Sequence, residues 1–372
     1  GPPLLTATAP LNPQLRNYQY CGVLWMLSVL KRDSACILAD DMGLGKTAQV
    51  IEVLKNLCGR VLILAPRAAD ETWREELIKW QAPPYYIFKP GDPDPECHTA
   101  PIVVCSHDIR SIEKCLATAF KGEYPAILVI DEAHRFRGRN ARRSKAVEQV
   151  CACAQFCIEI TATPQPNRPR DWWELLHIAF GYRFGSKYEF DTVYAGAIPG
   201  AHGGLVYPKK NFPRANELAL RLSYVMLRRE AHEVLGELPP LQIQVRWVDA
   251  NREARVAFLK LQAGLSRATM HDATLATLKG KVEEALALAV EAKRFLLCTW
   301  MKAHARELHR LLNMEYNTPC VLITGGISTK KRTALIKQAI ANKWGVVATT
   351  DSVYESLNLQ EVGHVGILHS ID

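Results

Sequence analysis

A glycine-rich turn between an apolar strand and an amphipathic helix is the feature that most constrains how this chain can fold. Residues Ala39 to Thr47 have the sequence ADDMGLGKT and follow the apolar run 35–38. Apolar residues then recur at helical spacing over 48–57. The two glycines let backbone N–H groups line an anion-sized hollow, and a helix N-terminus adds its positive dipole end. The stretch therefore predicts a phosphate-binding loop in a parallel α/β sheet.

Side chains in this loop have the chemistry that a bound nucleoside triphosphate needs. Lys46 can reach the outer phosphates, and the hydroxyl of Thr47 can hold Mg²⁺. The full P-loop pattern has glycine five places before the Gly-Lys pair, where this chain has Asp40, and an ordinary glycine-rich turn is the alternative. We expect ATP and Mg²⁺ as ligands. The loop residues assigned to the nucleotide are Met42, Gly43, Leu44, Gly45, Lys46 and Thr47.

A second stretch supplies two adjacent carboxylates at the end of a buried strand. The apolar run 126–130 predicts a parallel strand, and Asp131-Glu132-Ala133-His134 follows it. The carboxyl ends of parallel strands are where an α/β sheet binds its ligand. Asp131 is expected to hold Mg²⁺, and Glu132 to polarise the attacking water. With Lys46 these acids are the predicted catalytic residues, and a solvated loop is the alternative.

Together these motifs resemble helicase superfamily two, and the neighbouring segments are similar to its SWI/SNF-type branch of DNA translocases. Within that branch the chain looks nearest to the compact HARP-like annealing-helicase and the bacterial or viral members. Residues 15–19 (LRNYQ) resemble the adenine-reading segment, which implies adenine contacts from Arg16 and Gln19. Residues 227–229 (LRR) resemble a hinge segment that braces one lobe against the other. The resemblance implies an ATP-driven motor that remodels double-stranded or branched DNA or its protein complexes.

The resemblance also implies a P-loop NTPase fold of two RecA-like α/β lobes. Lobe 1 is expected at 1–235, with a helical insertion after about residue 165. A partial lobe 2 is expected at 236–372, with a helical segment at 250–290. Strand–helix alternation returns after about residue 290, which predicts the second α/β lobe from the residues themselves.

Composition fits a partner with a phosphate backbone. The 372 residues carry a formal net charge of +8. No apolar run approaches the ~20 residues that a bilayer span needs, and no signal-peptide pattern is present, so no membrane role is expected. The 11 scattered cysteines favour reduced thiols in an intracellular protein. We expect a monomer in the nucleus of a eukaryote, or in the nucleoid or cytoplasm of a bacterial or viral system.

Strand ends are expected to face DNA. The resemblance implies backbone contacts from Arg67, Ser106, Thr324, Gly325 and Thr350. The densest basic run, 135–145, follows the acid motif. It either lies along a DNA strand or clasps elements of its own lobe, and the sequence leaves both interpretations open.

Several other elements are predicted from periodicity. A helix is expected over 215–227 and a strand over 242–248, whereas 185–216 shows the composition of an irregular insertion. Trp73 and Trp80 lie in a predicted amphipathic helix. They are expected to be core residues rather than base-stacking surfaces.

The end of the chain also bears on activity. Residues 355–360 resemble the fifth helicase motif, and the last predicted strand is 365–368. The family pattern continues into a helix with two arginines that reach the ATP phosphates, and this chain ends at Asp372. We therefore expect that this chain is a fragment, a degenerate protein or a protein that a partner completes. We expect it to turn over ATP slowly. The alternative function is a module that binds ATP and DNA but hydrolyses little, and a P-loop kinase is disfavoured.

Overall fold

The chain divides into two compact units, Gly1–Pro239 and Pro240–Asp372, in the computed structural model. The structure describes residues 10–91, 95–136, 142–164, 171–200, 204–207, 212–236, 244–249, 281–350 and 365–369, and the single residues 252, 255, 256, 259 and 362. Both units are built on parallel sheets with helices, so the predicted α/β class is confirmed.

The first unit contains a sheet of seven strands. These are β1 (Ala35–Leu38), β2 (Val61–Ala65), β3 (Tyr85–Ile87), β4 (Ile102–Ser106), β5 (Ile127–Ile130), β6 (Phe156–Ile160) and β9 (Met226–Leu227). Every neighbouring pair is parallel, in the order β3-β4-β2-β5-β6-β1-β9. A separate antiparallel pair is formed by β7 (Ile198–Pro199) and β8 (Leu205–Val206).

Helices connect these strands. They are α1 (Asn17–Asp33), α2 (Lys46–Leu54), α3 (Asp70–Lys79), α4 (Ile109–Thr118), α5 (Arg142–Cys153), α6 (Asp171–Phe180), α7 (Lys187–Val193), α8 (Ala215–Ser223) and α9 (Ala231–Val234). Single turns of 3₁₀-helix occur at Arg67–Ala69, Pro95–His98, Ala133–Phe136 and Gly181–Phe184.

Two apolar cores cover the two faces of this sheet. Because successive side chains of a strand point to opposite faces, Leu128 joins the core under α4, α5 and α6, whereas Val129 joins the core under α1, α2 and α3. Each fully buried Leu or Val side chain contributes about 1.5–3 kcal/mol. Trp73 and Trp80 are buried in the second of these cores, as predicted.

The strand order decides which loops lie side by side. β1, β6 and β5 are adjacent, so the loops that follow Leu38, Ile160 and Ile130 meet at one stretch of the carboxyl edge. β2 and β4 come next to β5 and extend the same edge. The phosphate loop, the Thr-rich turn and the acid motif are therefore neighbours, although they are far apart in sequence.

The second unit has a four-stranded parallel sheet. Its strands are β10 (Phe295–Thr299), β11 (Cys320–Ile323), β12 (Gly345–Thr349) and β13 (Val365–His369), in the order β11-β12-β10-β13. Its helices are α10 (Val282–Ala292), α11 (Lys302–Met314) and α12 (Thr329–Asn342). Phe295 and Leu297 are fully buried in its core.

The predicted helix over 215–227 is too long. Helix α8 ends at Ser223, and Met226–Leu227 instead forms the edge strand β9 beside β1. The N–H of Ile37 donates to the carbonyl of Val225 at 2.9 Å, and the N–H of Ala39 donates to that of Leu227 at 2.7 Å. Without β9, these donors of β1 would lack their partners, and a buried backbone N–H without a partner is costly.

Two further predictions of local structure are wrong. Residues 185–216 were expected to lack regular elements, but Lys187–Val193 is helical, with Ser186 and Glu189 forming a capping box. Residues 244–248 of the predicted strand 242–248 are not in a strand. Residues 355–360 lie outside the described part of the chain. No described helix has the length and apolar content needed to cross a membrane.

We predict that Gly345→Ala destabilises the second unit by about 1–3 kcal/mol, the usual cost of overpacking a core. A Cβ at this position would lie 2.4 Å from ring carbons of the fully buried Phe295, so either the ring or the strand must shift. Gly366→Ala is the matched control, because a Cβ there meets nothing within 4 Å. Chemical denaturation would contradict the prediction if the two variants unfolded at the same midpoint.

Candidate nucleotide site and phosphate-facing edge

Glycines shape the phosphate loop. Gly43 and Gly45 have φ of 82° and 69°, and Gly45 is the N-cap of α2. This left-handed conformation favours glycine. A Cβ on Gly45 would also lie 2.4 Å from Nε2 of Gln19. The first N–H groups of a helix have no acceptor within the helix, so this turn at the start of α2 has the donors that bind anions.

The side chains of Gln19 and Tyr18 donate hydrogen bonds to the phosphate loop. Backbone N–H of Arg16 donates to Oε1 of Gln19 at 2.9 Å, and Nε2 of Gln19 donates to the carbonyl of Leu44 at 3.2 Å. The hydroxyl of Tyr18 donates to the same carbonyl at 3.2 Å. A carboxamide has two donor hydrogens and two acceptor lone pairs, so Gln19 keeps capacity for a base. The adenine contacts of Gln19 and Arg16 stay predictions.

The ammonium of Lys46 lies inside the loop. Nζ donates to the carbonyls of Asp40 and Asp41 at 2.8 and 2.9 Å. Burial lowers the pKa of Lys46, while the carboxylates of Glu132, Asp40 and Asp131 oppose that shift. The acid motif follows β5, which only one strand separates from β1, so its carboxylates lie near this ammonium at the same edge of the sheet. Thr47 follows in the first turn of α2, as the predicted metal role requires.

A buried ion pair explains the departure of the loop from the P-loop pattern. Asp40 is fully buried, and Nε of Arg229 donates to its Oδ1 at 3.0 Å, while Nη2 donates to Oδ2. Nη2 also donates to Oε1 of Gln49 at 2.8 Å. The guanidinium lies 5.2 Å from the ring centre of Tyr18. A glycine at position 40 would leave this arginine without its bidentate partner.

Asp131 is held by two donors. Nε1 of Trp73 donates to its Oδ2 at 2.9 Å, and the N–H of Glu132 donates to Oδ1 at 2.9 Å. Burial raises the pKa of Asp131 to about 6, the charge of Glu132 adds to the rise, and the Trp73 hydrogen bond opposes it. A carboxylate and a hydroxyl are oxygen ligands of the kind that Mg²⁺ prefers, so the metal roles of Asp131 and Thr47 stay predictions.

Glu132 is connected to the Thr-rich turn after β6. Its backbone has φ of 48°, and its Oε2 lies 3.2 Å from Nδ1 of His134. The same nitrogen lies 3.1 Å from Oγ1 of Thr161, which also accepts the N–H of Thr163 at 3.1 Å. One imidazole therefore contacts both Glu132 and the Thr-rich turn.

A cavity of about 630 Å³ opens at the ends of β2 and β4. The residues that line it are Pro66, Arg67, Ser106, His107, Asp108, Arg110 and Arg135. Three arginines give this cavity a positive character that suits phosphates. It contains Arg67 and Ser106, two residues for which DNA contact is predicted, and the buried Oγ of Ser106 has no hydrogen-bond partner in the described structure.

His107 supports this cavity without being one of its cations. Burial lowers its pKa to about 3, and the charge of Arg135 adds to the shift. Its Nε2 lies 3.2 Å from the carbonyl oxygen of Leu64. Because a carbonyl oxygen can only accept a hydrogen bond, Nε2 is the nitrogen that carries the proton of the neutral ring. The ring packs edge-on against Phe136 at 4.6 Å.

Two arginines of the basic run contact side chains of the first unit, to which they belong. Arg142 pairs with Glu113 at 2.7 Å, and the guanidinium of Arg143 lies 5.0 Å from the ring centre of Phe136. Arg135 instead lines the cavity. Residues 137–141 lie outside the described part of the chain.

The second unit places its predicted contacts at its own carboxyl edge. Thr324 and Gly325 follow β11, and Thr350 follows the adjacent strand β12. Lys302 begins α11 and reaches the same turn, since a Cβ on Gly325 would lie 3.3 Å from its Nζ. The structure thus adds an ammonium to the three residues named from sequence.

Family models give the comparison that decides the identity. Residues 18–303 match the SNF2-related domain, and residues 279–371 match the helicase conserved C-terminal domain. The chain belongs to the SNF2-related family. The resemblance stated from its motifs is therefore confirmed.

Individual relatives of this SNF2-related chain cover parts of it. It is 30% identical over 202 residues to the ISWI chromatin-remodeling complex ATPase ISW1 of Saccharomyces cerevisiae, which is 50% of this chain and 17% of that protein. It is 28% identical over 238 residues to the human DNA annealing helicase and endonuclease ZRANB3, which is 62% of this chain and 22% of that protein. The chain thus spans about a fifth of the length of these relatives.

A solved structure supports the fold. The Sulfolobus solfataricus SWI2/SNF2 ATPase core in complex with dsDNA is 22% identical, with a TM-score of 0.54 over 98% of this chain and 84% of that chain. The fold of RecA-like lobes is therefore confirmed, whereas the lobe boundaries stay predictions.

Two roles in the SNF2-related chain were not found from sequence. Trp73 was predicted only as core, yet its indole N–H also positions Asp131. Arg229 was predicted to brace one lobe against the other, yet within the first unit it grips the phosphate loop through Asp40. The sequence signal for the ion pair was Asp40 at the position of the P-loop glycine. That signal does not indicate that Arg229 is its partner.

We predict that Arg229→Ala lowers the free energy of unfolding by about 3 kcal/mol or more, because it leaves Asp40 as an unpaired buried charge. The exposed neighbour Arg228→Ala is the control, and a change within about 0.5 kcal/mol is expected there. Urea unfolding of both variants gives the comparison. In the double variant with Asp40→Ala, the loss should be smaller than the sum of the two single losses; additive losses would refute the coupling.

Proposed function

We propose that this chain is an ATP-driven translocase on double-stranded DNA. The carrying observation is that Lys46, Asp131 and Glu132 lie together at the carboxyl edge of the first sheet, and that the arginine-lined cavity continues the same edge. Phosphoryl transfer needs a phosphate cradle, a metal holder and a group that positions water. All three are present in one unit, next to a surface suited to DNA phosphates.

The nucleotide roles follow from the contacts. Lys46 exchanges its loop carbonyls for the outer phosphates of ATP, and the loop N–H groups bind the phosphate oxygens. Asp131 and Thr47 supply oxygens that fit Mg²⁺, which when bound offsets phosphate charge. Glu132 accepts a proton from the attacking water. Arg16 and Gln19 contact the adenine.

DNA is held through its phosphates. Arg67 and Ser106 supply contacts from the first unit, and Thr324, Gly325 and Thr350 supply them from the second. Phosphate contacts carry no sequence information, so the chain should bind duplexes of different sequence alike. The imidazole of His134 contacts both Glu132 and Thr161, and we infer that it couples the water-positioning acid to the Thr-rich turn.

We assign the nucleotide lobe to the first unit and the partner lobe to the second. We infer an intracellular location, in the nucleus of a eukaryote or in the nucleoid or cytoplasm of a bacterial or viral system. The ATPase assay with and without duplex DNA tests the function. Turnover that duplex DNA does not raise would contradict it.

We predict that Glu132→Gln keeps Mg·ATP binding but lowers turnover by about 10²–10⁴-fold, the usual contribution of a general base. The carboxamide keeps the shape of the side chain and loses its basicity. Lys46→Ala is the contrasting variant and should lose the thermal stabilisation given by Mg·ATP. Equal turnover of Glu132→Gln and the unaltered chain would refute the role of this acid.

We predict that duplex affinity falls steeply with salt, with a log–log slope of about −0.9 per phosphate contact. Arg67→Ala should make the slope less steep by about 0.9. Lys114→Ala, an exposed lysine of α4 outside the cavity, is the control and should leave the slope unchanged. Fluorescence anisotropy over a salt series measures both slopes. Identical slopes for Arg67→Ala and the unaltered chain would count against the cavity as a DNA surface.

A further inference from the structure

The carboxyl edge of the second sheet carries an exposed tryptophan that phosphate contacts do not use. Trp300 directly follows β10, and 71% of it is exposed. Two apolar residues of β10 itself, Phe295 and Leu297, are by contrast fully buried. An indole left in water at the end of a core strand marks a surface on which another flat group can pack.

Phosphate-binding chemistry lies at the same carboxyl edge of the sheet as this indole. Lys302, two residues further on, extends its ammonium over the turn at Gly325. The turn continues to Ser328, which caps the 14-residue helix α12 and accepts the N–H of Lys331 at 3.4 Å. The positive end of that helix and the ammonium both favour an anion. An aromatic face beside a cationic track is the combination that binds unpaired nucleic acid.

We propose that Trp300 is a stacking platform for an unpaired nucleobase, and that it gives the chain a preference for branched DNA over continuous duplex. This inference rests on the proposed function and names its preferred substrate. In a duplex, both faces of each base are already covered by neighbouring bases. Stacking on Trp300 therefore adds affinity only where a base has left the helix, whereas the phosphate contacts are available on either DNA.

The test compares two labelled DNAs at one salt concentration by fluorescence anisotropy. One is a continuous duplex, and the other is a fork of the same duplex length with two unpaired oligothymidine arms. A third DNA has the same arms without bases, which keeps the phosphates and removes the stacking groups. The full chain, Trp300→Ala and Trp300→Phe are measured. Trp247→Ala is the matched control, because Trp247 is also in the second unit and is 91% exposed.

The unaltered chain should bind the fork tighter than the duplex by on the order of tenfold, the effect of stacking one base. Trp300→Ala should remove that difference and leave duplex affinity unchanged, while Trp300→Phe keeps part of it. Trp247→Ala should behave like the unaltered chain. Arms without bases should bind like the duplex.

Other results would overturn the inference. Equal binding of fork and duplex by the unaltered chain would do so, as would base-free arms that bind like normal arms. An equal loss on both DNAs in Trp300→Ala would make Trp300 a general contact, and no loss on either DNA would make it a surface for another partner. Salt-dependent duplex binding in these cases leaves the proposed function standing. Failure of the unaltered chain to bind any of the DNAs overturns both.

Discussion

The buried ion pair between Asp40 and Arg229 fixes the shape of the phosphate loop. Two charges in a low-dielectric interior are tolerated only with close partners, and here the bidentate contact and Gln49 provide them. The partners are 189 positions apart in sequence. Backbone bonds accompany the pair, since the N–H of Asp41 donates to the carbonyl of Arg229 at 3.0 Å. The loop therefore acquires its conformation only when the edge strand β9 is in place beside β1.

The same dependence explains how distant motifs become one site. A parallel sheet gathers the carboxyl ends of its strands at one edge. The strand order β4-β2-β5-β6-β1 then decides which functional groups are neighbours along that edge. Phosphate-facing groups follow β4 and β2, the acids follow β5, the Thr-rich turn follows β6, and the nucleotide loop follows β1. The acids thus lie between the proposed nucleotide site and the proposed DNA surface, which is where a coupling element of a motor has to be.

Sequence reasoning was most successful where one local signal sufficed. Buried parallel strands are continuous apolar runs, so Ala35–Leu38 and Ile127–Ile130 were predicted to within a residue. The strand Met226–Leu227 was missed because two residues cannot show a period, and the preceding helical pattern was extended over it. The ladder with β1 that forms it is a long-range contact. Lys187–Val193 is a different failure, because its capping box was present in the sequence and was not used.

The candidate site shows the same limit of sequence reasoning, because the contacts that connect its two proposed surfaces are long-range. The motifs named Lys46, Asp131 and Glu132, but not the carbonyl of Leu64. That carbonyl accepts the N–H of Asp131 at 2.8 Å and faces Nε2 of His107 at 3.2 Å, so one oxygen joins the acid motif to the arginine-lined cavity. Because His107 is kept neutral by burial, its proton stays on Nε2 over the physiological pH range and the link does not depend on titration. The proposed DNA surface and the acid motif are therefore joined at a single backbone oxygen, a contact between segments that are distant in sequence and that no local pattern could reveal.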